Sequence, residues 1–384
     1  MKNSDIFIFI PVSEKRIDVI ESNNILILNY INTLKEISEY ECNFNFANTI
    51  KRLIIGNMQI AYMSDEYNNV EGMEWIEAYC CYTHQEISSL GILQIFIPGC
   101  QKEDSQIADI VSSGQLRIKF NSREFKVEEY VNSIGLSLSG KIRVLYCNSI
   151  EKKRDTDTGY LLAGETSCSE HIEYRIREEN IKSIINKNIS KYDFYELYAS
   201  QNGLVFFLKK FSNDFFSNIK MEALIIYICE VAILQNTAIS RINKQIVDEL
   251  MQNSNISSLK TLKLQVEFGK TILLWDNNIY NYYMAQELSN DIVKIFGIDR
   301  LLEEYNRNSK HVKEIATLKN GISSEIEGKI LNILAFILSI TQLMPIVKNI
   351  IYYINGYPIH FGVSGTVIFL FIIIVITYKK RKNR

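Results

Sequence analysis

Between Ile330 and Tyr378 the chain carries one lysine, Lys348, and one histidine, His360, and no other charged side chain. No other feature restricts the possible folds as strongly. The run 330–347 has 18 residues without a charge, and the run 358–378 has 21, centred on Val367–Ile376. A bilayer core of about 30 Å takes roughly 20 apolar residues as a helix, so both runs are long enough to cross it, allowing for tilt. Asn355-Gly356-Tyr357-Pro358 lies between them and signals a turn. The expected unit is a two-helix transmembrane hairpin. The alternative is a pair of buried core helices. It fits the second run poorly, because β-branched and aromatic residues cover every face of it.

Orientation follows from the flanks. Lys379-Lys380-Arg381-Lys382-Asn383-Arg384 follows the second run directly, and such clusters stay in the cytoplasm. Two spans return the N-terminal body to the same side. Only about 352–361 is left outside, where Tyr352, Tyr353, Tyr357 and Phe361 form an aromatic belt. The expected location is the plasma membrane, with both termini cytoplasmic. Scattered cysteines, seven in number, suit a reducing compartment better than a disulfide framework. The short apolar stretch Ile6–Val12 has no cleavage-site residues after it and reads as a strand, not a signal peptide.

The first span is not a plain anchor. At about 100° per residue, Asn332, Ser339, Gln342 and Asn349 share an arc of roughly 100°. Ala335, Ile346 and Tyr353 fall on the same arc, and Thr341 lies off it. Polar residues inside a bilayer face protein or water. They could serve helix–helix hydrogen bonding, or they could line a pore. Two spans cannot enclose a pore, so the second reading requires several copies of the chain. Glu325 and Glu327 then lie at the cytoplasmic mouth, unless they are ordinary helix-surface charges.

Net charge supports the division. The whole chain carries -2, but residues 1–329 hold 36 bases against 44 acids. An acidic body argues against a DNA- or RNA-binding protein, whose footprint is a basic face. Within the body, strand-like runs are Ile6–Val12, Leu53–Tyr62, Ile92–Ile97, Leu116–Phe120, Ile142–Tyr146, Phe194–Tyr198 and Leu204–Leu208. From about Asp214 the texture turns helical, with no proline between Pro98 and Pro345. Met221–Met251 predicts a long helix. Its apolar start resembles a span, but Glu222 and Glu230 bracket it, so burial in the body is expected. Leu259–Trp275, Asn281–Phe296 and Asp299–Lys319 are further helices, broken at most by Asn320-Gly321 before the first span. The fold class expected is an α+β cytoplasmic domain (1–213), a long helical stalk region (214–325) and a transmembrane hairpin with a basic cytoplasmic tail (326–384).

This architecture resembles the CorA family of divalent-cation channels, most closely over 326–384. The family carries Gly-Met-Asn after an aromatic residue at the outer end of the first span. Here the place reads Tyr352-Tyr353-Ile354-Asn355-Gly356-Tyr357-Pro358, so the signature is absent. In the family that tripeptide selects hydrated magnesium, and its absence argues against magnesium selectivity. The architecture is similar to that of CorA-like membrane effectors found beside type III CRISPR loci, which respond to a nucleotide second messenger and also depart from the signature. Leu264–Phe268 and Tyr280–Leu288 are similar in texture to that branch. The resemblance implies a homo-pentameric channel in the lipid bilayer, gated by a nucleotide ligand in antiviral defence. A divalent metal-ion transporter is the first alternative. A membrane-anchored receptor or scaffold without a pore is the second.

An acidic body that takes an anionic ligand needs a local basic pocket. Lys152-Lys153-Arg154 is the candidate, joined by Arg117 and Lys119 if the fold allows; otherwise it is a solvated charge run. No enzyme is expected. Gly269-Lys270-Thr271 lacks the first glycine of a phosphate loop, since Leu264 stands there. His84 with Cys80, Cys81 and Cys100 lacks the Pro-Cys-x-x-Cys pair of a zinc deaminase. Asp155–Gly159 resembles the start of a calcium loop, but Tyr160 and Thr166 stand where glycine and glutamate are needed. His171, His311 and His360 have no ligand spacing. No cofactor is expected, apart from a divalent cation that the resemblance leaves open.

Overall fold

The computed structural model describes residues 4–14, 24–61, 75–86, 90–101, 116–153, 155–163, 177–252 and 279–355. The chain divides into two compact units, Met1–Val312 and Lys313–Arg384. The first unit is an α+β fold built on one sheet.

The strands are β1 (Ser4–Glu14), β2 (Ile50–Ala61), β3 (Ile76–Gln85), β4 (Leu90–Cys100), β5 (Arg117–Phe120), β6 (Arg123–Lys126), β7 (Leu136–Leu138), β8 (Arg143–Ser149), β9 (Tyr195–Ala199) and β10 (Gly203–Leu208). Their order is β6-β5-β2-β3-β4-β1-β8-β10-β9, with β7 beside the second half of β1. All neighbours are antiparallel except β8 and β10. The uninterrupted apolar run of β1 is explained by its central place, since a strand covered on both faces has no polar side. Ile6, Ile8, Ile10 and Val12 enter one core with Cys80, Leu93, Ile95 and Tyr146. Phe7 and Phe9 enter the other, with Tyr30, Phe96 and Phe215.

Proline in a central strand removes a ladder donor. Pro11 sits where this costs nothing. On that side of β1, β8 pairs with Asp5–Phe9 and β7 with Val12–Glu14, leaving Pro11 in the gap. Its carbonyl accepts from the Ser139 amide at 3.0 Å. In β2 the register slips between Ile54 and Gly56, and Gly56 takes φ 134°, a bulge conformation that glycine allows. At Gly203 a side chain would meet the Val144 carbonyl at 2.0 Å, so the close parallel contact of β10 with β8 requires glycine.

Helices α1 (Ile25–Glu41) and α2 (Phe44–Ala47) follow β1; α3 (Val127–Ser133), α4 (Asp155–Ala163) and α5 (Glu178–Ile185) follow later strands. Next come α6 (Phe215–Gln252), α7 (Tyr283–Ile295) and α8 (Ile298–Asn355). Helices α1, α6 and α7 pack on the Phe7 face of the sheet. There Tyr30 and Phe96 stack at 4.4 Å, and Phe96 and Phe215 at 5.7 Å with rings 5° apart.

Helix α6 is the predicted helix over 221–251. It is long and apolar enough to cross a membrane by length and composition, yet 83 % of its apolar window is buried inside the fold. Its start packs in the aromatic core, and Ile242 and Ile246 near its end meet Tyr305 and Val312 of α8. Helix α8 runs unbroken through Asn320-Gly321, where the sequence allowed at most a break. The predicted helix over 259–275 and the second apolar run, 358–378, lie outside the described residues. Strands β3, β6 and β7 were not legible as strands. The calcium-loop resemblance at Asp155–Gly159 ends in α4, a helix.

Candidate functional site

The basic run Lys152-Lys153-Arg154 follows β8, with Lys152 closing a short 3₁₀ turn. Lys153 is half-buried, and its Nζ donates to Glu196 Oε2 at 2.8 Å and to the Tyr198 hydroxyl at 2.7 Å. It also lies 4.8 Å from the centre of the Tyr198 ring. Burial lowers the ammonium, but hydrogen bonds to Glu196 and Tyr198 and the charges of the same two groups together outweigh it and hold Lys153 above its usual range. Its charge is thus already answered inside the fold. Arg154 lies outside the described residues. Arg117 and Lys119 sit on β5, and four strands, β2, β3, β4 and β1, separate β5 from β8. The fold does not bring them to the run. Lys119 stands instead over the Trp75 ring at 5.0 Å.

Glu325, Glu327, Asn332, Ser339, Gln342, Ile346, Asn349 and Tyr353 all belong to α8. One continuous helix keeps the phase that gathers the polar set on an arc. Asn332 and Ser339 are exposed, and Ser339 donates to the Ala335 carbonyl at 2.8 Å. Leu331, Phe336 and Leu338 are 65 %, 67 % and 61 % exposed. The side chains of Glu325, Glu327, Gln342, Ile346, Asn349 and Tyr353 lie outside the described residues.

Burial of charge distinguishes the body. Arg52 on β2 donates from Nη2 to Glu230 Oε2 at 2.5 Å, and Thr83 on β3 donates to Glu230 Oε1 at 2.7 Å. Both side chains of this ion pair are almost wholly buried, so β2, β3 and α6 are tied by a largely desolvated contact. About two α-helical turns away, Glu222 is also buried, and apart from the Cys147 thiol neither of its oxygens has a hydrogen-bond partner. Burial, then the nearby Asp5 carboxylate, push Glu222 well above the usual carboxylate range. Asp5 is raised by burial too, against bonds from the Gly99 amide at 2.8 Å and Asn218 at 3.0 Å. Among the described residues Cys42, Cys80, Cys81, Cys100, Cys147 and Cys229 are buried and form no disulfide. Desolvation pushes the Cys42 thiol up to about 12, which makes it a packing residue rather than a nucleophile. Among the described residues no three His, Cys, Asp or Glu side chains gather as metal ligands.

A cleft of about 480 Å³ opens between α6, α7 and the first turn of α8, with Gln235, Gln286, Asn290, Lys294 and Asp299 on its walls. Beside the turn from α7 to α8 lies Arg143, which with its neighbour Lys141 no sequence motif marks. Arg143 opens β8 with its guanidinium 4.3 Å from the centre of the Phe296 ring. Lys141 precedes it and bonds Asn202 Oδ1 at 2.5 Å. The missed signal was Lys141-Ile142-Arg143 at the head of a predicted strand, where alternation sends a charge inward. Comparison of the chain with protein-family models, with curated proteins and with solved structures finds no match.

Proposed function

We propose that the chain is one subunit of an oligomeric, CorA-like membrane ion channel, opened by a ligand in antiviral defence rather than importing magnesium. The observation that carries the reading is the surface of α8. Leu331, Phe336 and Leu338 stand exposed on an unbroken helix that also presents Asn332 and Ser339. Exposed apolar side chains in such a group call for a cover, and lipid and neighbouring copies supply it. Residues 330–347 lie on this helix and match a bilayer core in length.

In this reading the hairpin sits in the plasma membrane with both termini in the cytoplasm. Helix α8 is the stalk and the inner span. Asn332, Ser339, Gln342, Asn349 and Tyr353 face a conduit between copies, five by the resemblance, and replace part of an ion's hydration. Ile346 closes the conduit by dewetting. Glu325 and Glu327 concentrate cations at the cytoplasmic mouth. A nucleotide second messenger that prefers one state of the body shifts the equilibrium towards the open form.

The test is ion flux from purified full-length protein in liposomes. Ile346→Asn conducts without any ligand, and Thr341→Ala behaves like the unaltered chain. Absence of flux in Ile346→Asn, or equal flux in both variants, overturns the pore and leaves helix packing as the role of the polar arc.

A further inference from the structure

Arg143 differs from the other charges buried among the described residues. Arg52 is answered by Glu230, and burial raises the carboxyls of Glu222 and Asp5, which favours the neutral form of each. A guanidinium keeps its charge. Arg143 is 3 % exposed, and no carboxylate pairs with it among the described residues. Its Nε has no acceptor, and Nη1 reaches only the Lys141 carbonyl at 3.4 Å. Lys141 in turn bonds a carboxamide, that of Asn202, and no carboxylate among the described residues. Burial pulls both cations below their usual values, Arg143 to about 10, and the field of Arg143 adds to the effect at Lys141. A buried charge without its partner is among the costlier features that a fold retains.

We propose that Lys141 and Arg143 form the receptor for an oxyanion of the phosphate class. The guanidinium fork suits two oxygens of one phosphate, and the more exposed ammonium adds a point charge at the rim. Phe296 covers the guanidinium and stands two residues before α8 begins. An oxyanion reaches Arg143 by displacing that ring, so occupancy bears on the first turn of α8. This link to α8 rests on the ligand-gated reading above; the binding itself does not.

The experiment uses the full chain in mild detergent, at constant ionic strength, and follows the melting temperature against added inorganic pyrophosphate. Pyrophosphate is expected to raise the melting temperature of the unaltered chain. In Lys141→Gln the concentration needed rises about tenfold or more, a loss of one charged contact. Arg143→Met is expected to melt no lower than the unaltered chain without pyrophosphate, because it loses a charge that nothing answers, and to ignore pyrophosphate. Should Arg143→Met fail to fold, Lys141→Gln, an exposed position, carries the test. A second arm compares AMP with inorganic phosphate: tighter AMP identifies a nucleotide as the source of the oxyanion, and equal affinity identifies a free oxyanion. No shift in the unaltered chain, or equal shifts in it and Lys141→Gln, overturns the site. So does an Arg143→Met protein that melts well below the unaltered chain and still responds. Pyrophosphate binding in a protein that gives no ion flux keeps the site and removes the gated channel.

Discussion

Helices α6 and α8 are both long and both carry an apolar stretch, yet the fold treats them in opposite ways. On α6 the stretch is enclosed by the sheet, α1 and α7, and its two carboxyls are accommodated. Glu230 meets Arg52 and Thr83, and Glu222 is held without a cation to pair with it among the described residues, where burial favours its neutral form. On α8 Leu331, Ile333, Phe336 and Leu338 of the apolar stretch stand exposed. Mean hydropathy therefore does not decide how a long apolar helix is seated. The separating feature is where the interspersed acids find partners.

The largest expected effect is in partitioning. Residues 1–320 expressed alone are expected to stay soluble without detergent, while the full chain fractionates with membranes. A fragment that extracts only with detergent would move α6 to the membrane side of the comparison.

Next in size is the ion pair beneath α6. Arg52→Met strands Glu230 in the core, and such a loss costs about 3–5 kcal/mol. Urea unfolding of the soluble fragment measures it. A cost under about 1 kcal/mol, the range of exposed pairs, would show that water reaches Glu230.

Glu222 sharpens the same contrast through pH. Its folded value is raised above the unfolded one, so the folded state binds the extra proton. The contribution is fully present below the unfolded value, near the usual 4.5, and is lost as pH rises towards the folded value. Stability of the fragment is expected to fall with rising pH at up to about 1.4 kcal/mol per pH unit from this group. Glu222→Gln removes that slope, and an unchanged slope between acidic and neutral urea titrations would assign it elsewhere.

The smallest effect concerns Lys153. Its pair with Glu196 is partly solvated, so Lys153→Ala is expected to cost about 1 kcal/mol or less. Pyrophosphate affinity should not change. A loss of affinity equal to that of Lys141→Gln would return the ligand site to the run 152–154.

Several elements were legible in the residues alone. The apolar run of β1, the strands around Leu53, Ile92 and Leu204, and the long helix over 221–251 follow from local periodicity and length. So does α8, because a glycine in a helix costs only about 1 kcal/mol, and neither Gly321 nor Gly328 stops it. Strand β3 was hidden because Ala78, Cys80 and Cys81 are small and Thr83, His84 and Gln85 are polar, so its alternation is faint. Its position between β2 and β4 supplies the two neighbours that such a strand needs.

What the sequence determined by itself is therefore local: which segments are apolar, at what period, and where the acids interrupt them. What the tertiary structure decided is which distant segments meet. Arg52 and Glu230 are 178 positions apart, and only the sheet order and the seating of α6 bring them to 2.5 Å. The same holds for Lys153 with Glu196 and for Arg143 beneath Phe296. A side chain's charge is written in the sequence, but whether it is answered depends on register and packing, which are properties of the whole sheet.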